Sequence, residues 1–204
     1  MKYTINYLDP QNLNQAFDNI PATTTDLDLH SCHLGAHFST EELTQLFKKL
    51  PENLQSIKLG TNNLGRKSVA ELQQIFESLT QNLQSIDLSN NNLGRKSAPE
   101  LQQIFESLPQ NLRSIDLSNN NLESKSVAEL QQIFESLPQN LQSLKLDNYD
   151  FRSKSVPELQ NIFEALPRSL HLIDLGDHFK TREKFAQIYL ALPLNLQGFQ
   201  QVQT

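Results

Sequence analysis

The chain of 204 residues is 37% hydrophobic, carries a formal net charge of −6 and has a sequence pI near 5.3. That length suits one domain, and the acidic balance excludes nucleic acid as the main partner, because phosphate binding requires a clustered basic excess. No run approaches the roughly 18 apolar residues that cross a bilayer, the N-terminus lacks a secretory apolar core, and a single cysteine, Cys32, excludes an intramolecular disulfide. In chain order, Tyr3, Ile5 and Tyr7 alternate as a strand, and Asp9-Pro10 opens a helix carrying Leu13, Phe17 and Ile20. Residues 1–20 are thus expected to form an N-terminal cap, the altered end unit that stacked arrays need because one side has no neighbour.

Residues 21–192 divide into six tiles of about 29 residues. Leu54, Leu83, Leu112, Leu141 and Leu170 recur at that constant interval. The fourth tile, Pro109 to Leu137, gives the pattern: Leu112-x-x-Ile115-x-Leu117-x-x-Asn120-x-Leu122. Alternation sends Ile115 and Leu117 inward and Ser114, Asp116 and Ser118 to the other face of a short strand. Asn120 turns the chain and supplies a small amide for backbone groups otherwise buried unpaired. Ser126 and Glu129 then form a capping box, and Leu130, Ile133, Phe134 and Leu137 make one apolar stripe on a helix ended by Pro138. Strands pack about 4.8 Å apart and helices roughly 10 Å, so stacked tiles bend with the strands inside. The predicted fold is an α/β solenoid, a horseshoe or arc with a parallel sheet on its concave face and helices on its convex face.

The first tile, Pro21 to Leu50, puts Cys32 at the asparagine site and opens its helix with Ser39 and Glu42. Near-copies follow at Pro51–Leu79, Thr80–Leu108 and Pro109–Leu137. In the tile Pro138–Leu166, Tyr149 replaces the turn asparagine and Phe151 the next leucine, which predicts a distorted turn. The tile Pro167–Leu192 is shorter and has His178 at the turn site; residues 193–204, with Leu196 and Phe199, read as a closing strand and tail.

Function must lie on the surfaces. The column equivalent to Asp116 holds Asp28, Lys58, Asp87, Asp116, Lys145 and Asp174, either a solvated sheet face or a protein-binding groove. Departures from the repeat gather toward the C-terminal end, where aromatic residues suit interface anchors. The candidate partner-binding residues are Asp87, Asp116, Lys145, Asp147, Tyr149, Asp150, His171, Asp174 and His178. A zinc site at His30, Cys32, His33 and His37 is disfavoured because Cys32 should point inward. A basic strip of Arg66, Lys67, Arg95, Lys96, Lys125, Arg152 and Lys154 precedes the helices and offers an alternative site for anionic groups or a membrane surface. No catalytic constellation and no phosphate loop is found, so neither an enzyme nor a cofactor is expected.

The joined pattern L-x-x-I-x-L-x-x-N-x-L and S-x-x-E-L-x-x-I-F-x-x-L-P resembles the ribonuclease-inhibitor-type leucine-rich repeats. More narrowly, N-L-Q-S-I-D-L-S-N-N-N-L followed by K-S-x-x-E-L-Q-x-I-F is similar to repeats of Legionella effectors delivered by the Dot/Icm type IV secretion system. That resemblance implies a virulence effector that binds a host protein in the host-cell cytoplasm; the chain is expected to be a monomer, and its N-terminal residues to form no cleavable signal peptide. An inhibitor that covers a host enzyme's active site would use the same concave face.

Overall fold

The computed structural model describes residues 1–5, 12–146, 151, 153–176, 182–193 and 196. Seven short strands alternate with helices: β1 (Lys2–Thr4), α1 (Leu13–Asp18), β2 (Asp26–Asp28), α2 (Leu34–His37), α3 (Thr40–Phe47), β3 (Ser56–Lys58), α4 (Val69–Glu77) and β4 (Ser85–Asp87). The series continues through α5 (Ala98–Glu106), β5 (Ser114–Asp116), α6 (Val127–Glu135), β6 (Ser143–Lys145), α7 (Val156–Glu164), β7 (Leu172–Asp174) and α8 (Arg182–Ala191). All seven strands are parallel and pair in sequence order, the topology of a solenoid in which each unit meets only its neighbours. The strand spacing and the wider helix spacing curve the array, with the sheet concave and the helices convex.

One inward residue per strand lines up across the whole sheet: Tyr3, Leu27, Ile57, Ile86, Ile115, Leu144 and Ile173. Behind them the helix stripes supply Phe47, Phe76, Phe105, Phe134 and Phe163, all buried. Five helices, α3 to α7, begin in the same way. The carboxylate of Glu42, Glu71, Glu100, Glu129 or Glu158 accepts the backbone N–H of the serine three residues earlier at 2.7 to 2.8 Å. This holds an otherwise orphaned donor and fixes where each helix starts.

The turn asparagines form a ladder. Asn91 Nδ2 donates to Leu59 O, Leu88 O and Ser89 O, while its Oδ1 accepts from Asn62 N and Leu64 N of the preceding tile. Asn62 and Asn120 repeat the arrangement, so one buried amide serves two tiles. The residues on either side of each ladder amide are left-handed: Thr61 and Asn63, Asn90 and Asn92, Asn119 and Asn121. Asparagine tolerates that backbone better than most residues, which explains the run of three asparagines in two of the tiles.

Two local differences from the repeat pattern have a physical cause. The spacing from Thr24 to Leu54 is 30 residues, one more than later tiles, and the extra residue falls between Leu34 and Ser39. There the single 3-10 turn of the next three tiles becomes the helical turn α2. At the other end Leu196 is buried and its N–H donates to Pro193 O, as Leu170 N–H does to Pro167 O, so it opens a further tile turn; the expected closing strand around Phe199 lies outside the described residues. Phe151 is fully buried and meets Phe163 edge-on at 5.3 Å between ring centroids, filling the leucine site it replaces. Tyr7 and the expected helix start at Asp9 lie outside the described residues, as does the loop 147–150.

Candidate protein-binding surface

The solvent face of the sheet is built from columns running across the strands. The first outward column is Asp26, Ser56, Ser85, Ser114, Ser143 and Leu172; the second is Asp28, Lys58, Asp87, Asp116, Lys145 and Asp174. Four of the predicted site residues, Asp87, Asp116, Lys145 and Asp174, therefore share one column. His171 is exposed just before β7. Asp147, Tyr149, Asp150 and His178 lie outside the described residues.

Each aspartate of the second column has a structural half. Oδ1 of Asp28, Asp87, Asp116 and Asp174 accepts the backbone N–H two residues on, from His30, Ser89, Ser118 and Gly176, at 2.9 to 3.1 Å. These Asx turns lead the chain out of the strand and leave the second carboxylate oxygen toward the concave face. That oxygen is ion-paired at both ends of the column. Lys2 and Lys58 reach Asp28 at 3.7 and 3.8 Å, and Lys145 lies 3.6 Å from Asp116 and 4.0 Å from Asp174. Asp87 has no ion pair among the described residues. Such exposed pairs contribute little stability, on the order of 1 kcal/mol or less each, but they hold side chains in place.

One residue of this face was not singled out by the sequence reading. Leu172 stands where the four preceding tiles carry serine, and it is 43% exposed. The signal was a single break in the serine column at fixed spacing, hidden by the fact that leucine is the commonest repeat residue.

The basic strip has a different character from the one expected. Lys67 and Lys125 are only 8% exposed. Lys67 Nζ donates to Phe38 O at 2.6 Å, Lys125 Nζ to Lys96 O, and Lys154 Nζ to Lys125 O at 2.7 Å, each reaching the carbonyl one tile back. These ammonium groups staple successive helix-opening turns and are turned away from any anionic surface. Arg66 and Arg95 are exposed, and Arg152 lies outside the described residues. The edge is therefore no continuous row of free cations.

The first-tile cluster also has a structural role. Cys32 is buried with Sγ donating to Ile5 O at 3.3 Å, and burial, with the Asp28 charge adding to it, pushes its thiol up to about 11. His33 is a left-handed turn residue whose ring lies 5.2 Å from that of His37. Cys32 faces the core and the exposed histidines face solvent, so the four side chains do not converge on one point.

A leucine-rich-repeat family model matches residues 82–104 and 111–133. No curated protein matches. Among solved structures, the leucine-rich repeat-containing protein LegL7 from Legionella pneumophila is similar, with 34% identity and a TM-score of 0.85 over 95% of this chain. The present chain spans 61% of the LegL7 chain. The tropomodulin C-terminal domain of Caenorhabditis elegans also matches, at 18% identity and a TM-score of 0.48, over 79% of this chain and 95% of that one. The family model and the LegL7 match indicate no enzyme family, and no helix among the described residues is long and apolar enough to cross a membrane. With its asparagine ladder, parallel sheet, capped convex helices, repeats recognised by the family model and likeness to LegL7, the chain has the fold of a leucine-rich-repeat solenoid.

Proposed function

We propose that the chain is a non-catalytic, monomeric protein-binding module that engages a host-cell protein through its concave face, weighted toward β7. The observation that carries this reading is Leu172, a large apolar side chain held in the open on a face otherwise made of serine and charge, with His171 and Asp174 beside it. Exposed apolar groups rimmed by polar ones suit the centre of a protein interface. The likeness to a Legionella pneumophila repeat protein supports an effector role: export by a specialised secretion system and action in the host cytoplasm. Tyr149 and His178, which break the repeat in sequence at the same end, belong to the proposed site.

The test is affinity capture from host-cell lysate with the parent and with a variant carrying His171→Ala, Leu172→Ser and Asp174→Ala, both confirmed folded by circular dichroism. Leu172→Ser restores the residue of the preceding tiles, so the fold is expected to tolerate it. A protein retained by the parent and lost by the variant is the expected result. Identical capture by both removes the β7 end from the interface, and adding Tyr149→Ala and His178→Ala then asks whether the turns outside the strand carry it.

A further inference from the structure

The second column on the concave face has a fixed charge order: acid, base, acid, acid, base, acid, from Asp28 through Lys58, Asp87, Asp116 and Lys145 to Asp174. We propose that the element this face takes is a partner α-helix laid across the strands, with two basic residues one turn apart at its centre and an acidic residue one turn further out on each side. The inference rests on the protein-binding reading above and specifies the partner's chemistry.

Spacing selects the helix. Adjacent strands are about 4.8 Å apart, and side chains one turn apart on a helix, at i and i+3 or i+4, are about 5–6 Å apart. Across the four central positions, Lys58 to Lys145, the column spans roughly 14 Å and three helical turns roughly 16 Å, so four successive side chains stay in step. An extended segment, with same-face residues roughly 7 Å apart, would cover roughly 20 Å and fall out of register. The neighbouring column is small, with Ser56, Ser85, Ser114 and Ser143 opposite one another, so a helix can approach the sheet.

Charge selects the order. Asp87 has no ionic partner among the described residues, and Ser89 N–H fixes its Oδ1, so the other oxygen faces an incoming cation. Asp116 shares Lys145 with Asp174, so Lys145 can keep an acidic partner when a second cation takes Asp116. A uniformly basic helix would bring cations against Lys58 and Lys145, and like charges across an interface are costly. The order also reads the same in reverse. A second copy docked antiparallel and in register would therefore oppose Asp28 to Asp174, Lys58 to Lys145 and Asp87 to Asp116, which disfavours self-pairing on this face. Arg113 and His30 lie off the column, just before β5 and beyond the end of β2.

Two synthetic helical peptides of identical composition test the proposal, one with Glu-Lys-Lys-Glu at successive turns and one with Lys-Glu-Glu-Lys, each titrated into the whole chain by fluorescence anisotropy at low ionic strength. The first is expected to bind about tenfold or more tighter, with the difference shrinking as salt rises. In the variant Asp87→Asn with Asp116→Asn, the amide oxygens still accept the Ser89 and Ser118 N–H groups, so the turns persist while the preference disappears. Equal binding, no binding of either peptide, or a preference that survives in the double variant overturns the proposal. Host-protein capture lost in the β7 variant while the peptides bind equally would overturn the charge order alone; an intact peptide preference with capture insensitive to the β7 changes would instead count against the β7-weighted interface.

Discussion

Thr24 shows how one atom departs from the repeat. It occupies the tile-opening site held elsewhere by Leu54, Leu83, Leu112, Leu141 and Leu170, and its N–H donates to Pro21 O at 2.9 Å as theirs do to the residue three before them. The side chain is fully buried, and its hydroxyl is the one buried side-chain oxygen among the described residues without a hydrogen-bond partner. An unpaired buried hydroxyl costs about 1–3 kcal/mol, so Thr24→Val, which keeps the shape and removes the hydroxyl, is expected to stabilise the protein by about 1 kcal/mol. Thermal melts of parent and variant decide it: a rise in Tm supports the reading, and a fall would mean that the hydroxyl is satisfied in solution.

At the scale of the element, the helix openings are where the lysine staples and the capping boxes meet. Lys125→Met keeps the aliphatic stem but leaves Lys96 O without its donor, and a loss of about 1–2 kcal/mol in urea unfolding is expected. Lys96→Met is the internal comparison, since Lys96 is half-buried and makes no such bond among the described residues, and it should cost less. The capping carboxylates add a pH dependence. The Ser68 N–H, then Thr40 and Ser68 side-chain bonds, hold Glu71 down to about 2, and serine N–H bonds lower Glu42, Glu100 and Glu129 in the same direction. Because these acids bind protons more readily unfolded than folded, their stabilisation is full above pH about 4.5 and is lost as pH falls toward about 2. Glu71→Gln should lower Tm near neutrality, where the ionised carboxylate stabilises the fold, and converge with the parent toward pH about 2, flattening that acid limb; an unchanged slope would show that its carboxylate is not held in solution.

The same elements mark what sequence alone conveys. The strand and helix stripes, the capping boxes and the ladder asparagine follow from residue type at fixed spacing, because burial and capping each admit few side chains. The lysine staples and the aspartate turns do not. Lys67 and Asp87 are residues that solvation alone would explain, and only the placement of the adjacent tile shows that one reaches a carbonyl 29 residues back and the other anchors its own strand end. Leu172 was hidden for the opposite reason, since a leucine in this chain reads as core until its column is known to face solvent.

For the whole molecule, the sequential sheet means that each tile is stabilised by two neighbours and by nothing distant. Phe134, fully buried in α6, packs in the middle of the array, and Phe134→Ala should cost about 3–5 kcal/mol through lost burial and the cavity left behind. A globular core would pass that loss to the entire domain, whereas a linear array has another route: the damaged tile and those on its weaker side can open while the others stay folded. The side beyond β6 is expected to be the weaker one, because the sequence position in register with Asn62, Asn91 and Asn120, the asparagines of the amide ladder, is Tyr149. Hydrogen exchange of Phe134→Ala should therefore show protection lost across α6, β6, α7 and β7 while β2, β3 and α4 keep theirs. Uniform loss of protection would mean that the tiles unfold as one unit, and a parent-like melting temperature would show that α6 does not carry the packing assigned to it.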